Sequence, residues 1–292
     1  MKAKHVIIYL LLVIVTSSCI RDEAPNAEAD ILSCRLPGIT MTTSPIINNN
    51  SVTLFVTPGT NISALAPEFT LTSGATITPA SGTERNFNSP QEYQVTAADG
   101  IWKKTYAISV IDTELATIYN FEDTISGKKY YIFVERENDK VIMEWASGNA
   151  GYAMTGVAKT ADDYPTFQIA NGKNGKCLSL VTRSTGFFGG LVGMPIAAGN
   201  LFIGSFDVNN AMSNPLQATK FGLPFRHVPT YLAGYYKYKA GDQFTEGGKP
   251  VEGKRDICDI YAIMYETSVS VPTLDGTNAF TSPNLVSMAR IK

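Results

Sequence analysis

The sequence predicts an all-β protein built from sandwich-type units, and three observations carry that prediction. The first is a series of short runs rich in β-branched and aromatic residues: "SVTLFVT", "EYQVTA", "KTYAISVI", "KYYIFVE", "KVIMEWA", "LFIGSFDV" and "ICDIYAIMYE". Each is bounded by Gly, Pro, Asn or Asp, the residues that punctuate strands with turns. The second is that no long stretch repeats with a helical period. The third is the material for a core, since 292 residues, 44% hydrophobic and 10% aromatic, suffice for one large or two ordinary domains. Repeated short strands with turns between them close as sandwiches or barrels.

The chain opens with a leader. Lys2 and Lys4 are followed by the apolar "VIIYLLLVIVT" and by "TSSC", which ends at Cys19. That is the layout of a cleaved secretory signal, and the apolar run is shorter than the ~20 residues that span a bilayer. A cysteine at this point resembles a bacterial lipobox, which implies lipid on Cys19 and a new N-terminus there. Residues 20–25 read as a polar tether, continuous with "IRDEAPNAEAD". Asp22 and Glu23 resemble the export signal that sends some lipoproteins of gut-dwelling Gram-negative bacteria to the outside of the outer membrane. Beyond Cys19 the cysteines are Cys34, Cys177 and Cys258, an odd number without C-x-x-C spacing. They make one bridge at most and, beside one mature histidine, a poor zinc ligand set.

The formal net charge of −2 leaves no polybasic surface, which argues against a nucleic-acid partner. Membrane attachment is expected through the lipid alone. No cofactor is expected. "DVNNAMSN" sets Asp207, Asn209 and Asn210 within one turn as oxygen ligands for a structural calcium, but the EF-hand glycine and terminal glutamate are missing and the stretch reads first as a turn. "STGFFGGLVGMPIAAGN", residues 184–200, is rich in glycine without the Walker pattern, and reads as a flexible loop that opens no helix.

Two modules follow. Residues 26–112 have the rhythm of a small Ig-like sandwich of roughly seven strands. "ADG" at 98–100 joins the last two strands, and the alternation in "WKKTYAISV" buries one face of the final one. Trp102, beside that turn, reads first as a core or cross-strand ring, with a binding ring as the alternative. "LAPEFTLTSGATITPASG" and "YQVTAADGIWKKTYAISV" resemble the small Ig-like domains at the N-termini of bacterial surface lipoproteins, which implies a spacer.

Residues 113–292 form the second module, with the landmarks "AAGNLFIGSFDV", "PLQATKFGLPFRHVP", "GYYKYKAG" and "CDIYAI". These resemble the bacterial family called the putative carbohydrate metabolism domain. The resemblance implies a jelly-roll β-sandwich similar in shape to carbohydrate-binding modules, and a glycan-related setting, without assigning catalytic residues. It also implies further strands after "NLVSMARIK", so the expected jelly roll is short of a strand here. An edge left open in that way calls for more chain or a partner.

The run "PTYLAGYYKYKAGD", residues 229–242, concentrates four tyrosines. Read as a strand over 231–239, it puts Leu232, Gly234, Tyr236 and Tyr238 on a packed face and Tyr231, Ala233, Tyr235, Lys237 and Lys239 on a wet one. Tyr231 and Tyr235 are therefore the candidate ligand rings. A pyranose lays a patch of C–H bonds on an aromatic face while its hydroxyls seek polar neighbours, and tyrosine offers both a face and a hydroxyl. Rings four residues apart on a strand stand ~13 Å from each other, a spacing for an oligosaccharide. The alternative is that exposed tyrosines only decorate a strand of high β-propensity. "ICDIYAIMYE" reads as a central strand, on which Asp259 and Tyr261 line a concave face or Asp259 is a satisfied structural group.

Catalysis has little to stand on in the sequence. His227 is the one histidine beyond the leader, in the proline-flanked "PFRHVP", and no G-x-S-x-G is present, which argues against a histidine-dependent hydrolase. A glycosidase needs only two carboxylates about 5–10 Å apart. Among 26 acidic residues, Glu144 in "MEWAS" alone stands in an aromatic motif, which also reads as an ordinary alternating strand. The reading is a surface lipoprotein whose jelly-roll module binds an oligo- or polysaccharide. The alternatives are a carboxylate-dependent glycoside hydrolase on the same scaffold, and a structural or adhesive protein with protein partners.

Overall fold

The computed structural model describes residues 25–291 except 248 and 269. The leader, its Cys19 and the acidic pair behind it lie outside the described residues. The chain is all-β, as its strand runs predict, and its helices are short.

Seven strands occupy the first unit: β1 (Ile31–Arg35), β2 (Ile46–Ile47), β3 (Ser51–Phe55), β4 (Glu68–Leu71), β5 (Thr76–Thr78), β6 (Gln91–Thr96) and β7 (Lys103–Ile111). β1 and β4 form a ribbon, and the others form a five-stranded sheet in the order β2-β3-β7-β6-β5. The "ADG" turn does join β6 to β7, with Gly100 at a φ of 70° that glycine adopts without a Cβ clash. β3 runs parallel to β7, Val52 opposite Ile108 and Leu54 opposite Val110. The period-2 alternation turns Tyr106, Ile108 and Val110 inward, where with Val52, Leu54, Val95 and Phe87 they make one dry core. Cys34 lies in that core, and burial pushes its thiol up to about 12, so it stays protonated and unreactive. Trp102 departs from expectation: it is 63% exposed at the end of the turn, because the inward positions of β7 begin only beyond it.

The second unit contains β8 (Val134–Glu137), β9 (Lys140–Ala146), β10 (Thr166–Ile169), β11 (Cys177–Leu180), β12 (Arg183–Ser184), β13 (Ile196–Ala197) and β14 (Phe202–Phe206). They are followed by β15 (Thr219–Phe221), β16 (Thr245–Glu246), β17 (Lys249–Pro250), β18 (Ile260–Tyr265), β19 (Leu274–Asp275) and β20 (Leu285–Ile291). The main sheet has the order β19-β15-β14-β9-β8, and the remaining strands pair as the ribbons β10-β11, β12-β13, β16-β17 and β18-β20.

Two expectations change here. The apolar strand of "ICDIYAIMYE" is not central, since β18 pairs with β20 alone among the described residues; its apolar side chains pack only partly, and Val286 and Met288 of β20 face solvent. The glycine-rich stretch does form a helix, Gly186–Leu191. Gly189 permits it, because a Cβ there would collide with the side chain of Thr185, whose hydroxyl donates to the carbonyl of Met194.

Candidate functional site

The tyrosine run is exposed throughout residues 229–239 and forms no strand. Tyr231 and Tyr235 are each 80% exposed, as the wet face requires, but Tyr236 at 56% and Tyr238 at 44% are not packed, and Leu232 and Gly234 are also exposed. The two-faced strand expected over 231–239 is thereby corrected. Pro224 and Pro229 supply no backbone donor at the start of the run, and no neighbouring strand among the described residues offers it a ladder. Alternation sorts side chains into two faces only where a sheet defines them. One contact orders the run locally: Lys173 Nζ sits 3.2 Å from the centroid of the Tyr235 ring, a cation–π contact on one ring face.

Asp259 and Tyr261 lie elsewhere, at the start of β18. Both carboxylate oxygens of Asp259 accept from Arg290 of β20, from Nε at 2.8 Å and Nη2 at 2.6 Å, a bidentate pair across the ribbon. The ring of Tyr261 stands edge-on to Phe280 at 4.8 Å and to Phe221 at 6.2 Å. Partial burial pushes its phenol up from the ordinary range, with the Asp259 charge adding and the Arg290 charge opposing.

A second aromatic site, built on the β8–β9 hairpin, was not visible in the sequence. The amide of Trp145 donates to the carbonyl of Phe133 at 2.9 Å, which sets the two residues opposite each other. Trp145 Nε1 then donates to Glu135 Oε1 at 2.9 Å. The Tyr119 ring meets the indole edge-on at 5.0 Å, and Phe121 packs on it at 5.4 Å and on Phe133 at 6.2 Å. Phe121 has a φ of 57°, a left-handed backbone that costs a bulky residue roughly 1–3 kcal/mol. Gln168 holds it there, its Nε2 donating to the carbonyls of Phe121 at 2.7 Å and Glu122 at 2.9 Å.

The hairpin presents carboxylates on both faces. Burial pushes the Glu135 carboxyl above its ordinary value, the indole hydrogen bond opposes this, and the charge of Asp123 adds to it. Glu144 pairs with Val134 and so faces away from Trp145. It is exposed to solvent, and desolvation by the protein around it pushes its carboxyl upward against the pull of Lys128. Glu144 and Trp145 of "MEWAS" therefore lie on opposite faces, since adjacent residues on a strand alternate, and it is Glu135 that meets the indole.

The remaining candidates have local partners. Asp207 Oδ1 accepts from the amides of Asn209 at 3.0 Å and Asn210 at 3.3 Å, and Oδ2 accepts from Asn210 Nδ2 at 2.6 Å, so the three residues close their own turn. His227 Nε2 lies 3.0 Å from Glu114 Oε2, with the His227 ring edge-on to Phe225 at 5.3 Å.

Comparison with known proteins bears on both units. The family model described as the putative carbohydrate metabolism domain matches residues 120–292, more than half of the chain, and the model described as SGBP, N-terminal, matches residues 31–110. The chain is similar to the crystal structure of a putative glycoside hydrolase from Bacteroides thetaiotaomicron VPI-5482, at 85% identity and a TM-score of 0.89. That match covers 93% of this chain and 80% of the other. It is also similar to a putative glycoside hydrolase from Bacteroides vulgatus ATCC 8482, at 48% identity and a TM-score of 0.55, over 60% of this chain and 71% of that one. No curated protein matches it.

Proposed function

The chain belongs to the family described as the putative carbohydrate metabolism domain, and from that premise we propose that it is a glycan-binding lipoprotein of the outer cell surface. In this reading the lipid on Cys19 anchors the protein, residues 26–112 are a spacer and residues 113–292 engage an oligo- or polysaccharide. The observation that carries it is the exposed tyrosine run, with Tyr231 and Tyr235 both 80% open to solvent.

Exposed rings of this size are costly to leave in water and are common where a ligand covers them. A sugar is the ligand whose chemistry fits: its C–H face lies on a ring while its hydroxyls meet the phenol oxygens and the ammonium groups of Lys237 and Lys239 beside them. Lys173 on one face of Tyr235 leaves the opposite ring face for the sugar and restrains the ring before the ligand arrives. The kinship of residues 31–110 to the SGBP N-terminal model and the names of the two solved relatives support the same setting.

The test is a glycan-array screen of residues 20–292, with the Tyr231→Ala/Tyr235→Ala double variant alongside. Selective binding that falls about tenfold or more in the variant, a loss of ~1.4 kcal/mol or more, is the expected result. Binding that survives the double substitution unchanged removes the tyrosines from the site, and a folded sample that binds no glycan removes the reading.

A further inference from the structure

The formal net charge of −2 is the sum of unlike parts. Residues 164–241, which hold the tyrosine run, carry seven Lys and Arg but a single acid, Asp207, whereas the whole chain has 24 basic and 26 acidic residues. Three of the seven cations are engaged. Lys220 Nζ lies 3.9 Å from Asp275 Oδ2, Lys176 Nζ donates to the carbonyl of Glu122 at 3.4 Å, and Arg183 Nη2 donates to that of Asp162 at 3.0 Å. Asp207 closes its own turn. The other four, Lys173, Arg226, Lys237 and Lys239, are exposed and make no ion pair among the described residues. Three of those four stand at the tyrosines: Lys173 Nζ lies on the Tyr235 ring at 3.2 Å, and Lys237 and Lys239 belong to the run itself. A ring face occupies one side of an ammonium and leaves its remaining N–H donors for another acceptor. An acid does approach one end of the run, where desolvation and then the charge of Asp256 push the Tyr238 phenol up, but Asp256 closes no ion pair there among the described residues.

We propose that the glycan bound at Tyr231 and Tyr235 is anionic, a polysaccharide whose repeat carries a carboxylate or a sulfate ester, with Lys173, Lys237 and Lys239 as its charge partners. The proposal rests on the glycan reading above and names the class of sugar. One repeat lies with its C–H face on the open face of Tyr235, and the anions of the repeats beside it meet the ammonium groups around the ring. A hydrogen bond from an ammonium to an anion is roughly twice as strong as one between neutral groups, so these lysines favour an acidic sugar over its uncharged counterpart. The stretch of like charge around them also steers a polyanion toward the rings and repels a cationic polymer. The shared chemistry is a fixed negative charge on a sugar that still offers an apolar face.

The experiment measures binding of residues 20–292 to two matched pairs of polymers, polygalacturonate with its full methyl ester and dextran sulfate with dextran, and to duplex DNA. At least one charged polysaccharide should bind about tenfold or more tighter than its neutral counterpart. Preference for polygalacturonate assigns a carboxylate, and preference for dextran sulfate assigns a sulfate ester. The binding should weaken as salt rises from about 0.1 M to about 1 M, which shortens the screening length from about 10 Å to about 3 Å. It should fall about tenfold or more in Lys173→Gln/Lys237→Gln/Lys239→Gln, and likewise in Tyr231→Ala/Tyr235→Ala, because charge and ring act on the same polymer. All five side chains are exposed, so both variants should fold, and Lys103→Gln, exposed in the first unit, should bind as the parent does. If Lys173 only restrained the ring, the lysine variant would bind less tightly with its salt dependence unchanged, which overturns the proposal. Polyanion binding that survives loss of the two rings, or duplex DNA bound as tightly as the better polysaccharide, also overturns it, since the surface then reads charge and not sugar. Neutral polymer bound as well as charged, and lost in the tyrosine variant, overturns this proposal and leaves the glycan reading standing. A folded sample that binds none of these polymers and no glycan on the array overturns both.

Discussion

Tyr106 is 1% exposed, and its hydroxyl donates to Asp30 Oδ1 at 2.9 Å while accepting from the amide of Ile31 at 3.3 Å. Lys104 Nζ reaches the same Asp30 oxygen at 2.5 Å. One phenol therefore satisfies a buried backbone donor and helps hold a carboxylate at the entry to the first strand. Tyr106→Phe should cost about 1–3 kcal/mol in urea unfolding, because it leaves the Ile31 amide without its acceptor. The hydrogen bond from Lys104 holds the Asp30 carboxyl below its ordinary value. A carboxyl lowered in the folded state contributes stability above its unfolded value and loses it as pH falls through the folded one, so stability should drop below about pH 4. Asp30→Asn should flatten that drop, and an unchanged acid limb would count against the role assigned to Asp30. The inward turn of Tyr106 was legible in the alternation of "KKTYAISVI"; its partner, 76 residues away, was not. Glu135 and Trp145 were hidden for the same reason, since no rule of spacing joins two positions across a hairpin until its register is known.

At the scale of elements, legibility followed the neighbours. β6 and β7 are joined by a short turn, pair along their length and were read from the turn glycine and the alternation. The tyrosine run has the same β-propensity as those strands and no ladder among the described residues, because propensity measures fit to a sheet that must be supplied from elsewhere. The strand interpretation failed on that missing neighbour, and the centrality of β18 failed likewise. Hydrogen exchange separates the two kinds of element directly. Amides of residues 230–239 should exchange close to their unprotected rates, while those of β7, flanked by β3 and β6, should be slowed by several orders of magnitude. Adding a glycan recovered from the array should slow exchange in the run and leave β7 unchanged. Strong protection of the run in the free protein would mean that it is already paired, and would remove the open tyrosine platform.

Among the described residues of the whole molecule, no sheet combines strands β1–β7 with strands β8–β20. The core of the first is made entirely from residues 29–110, among them Val52, Leu54, Tyr93 and Val110 at 0–1% exposure. Between the units lie the ion pair of Lys140 Nζ with Asp112 Oδ1 at 2.7 Å, the contact of His227 with Glu114, and a small recess lined by Val56, Leu115, Pro224 and Arg226. Partly exposed ion pairs of this kind contribute about 0–1 kcal/mol each, less than the coupling needed to make two cores melt as one. Calorimetry should therefore resolve two transitions. Leu54→Ala, which empties a fully buried site, should destabilise the first unit by about 2–5 kcal/mol and leave the other transition in place. Asp112→Asn should move either transition only slightly. A single transition that Leu54→Ala shifts as a whole would show that the recess and the ion pairs couple the units far more strongly than their exposure implies. In the proposed reading, a spacer that melts by itself would carry a sugar-facing unit without transmitting strain to it, so two transitions are also what that reading expects.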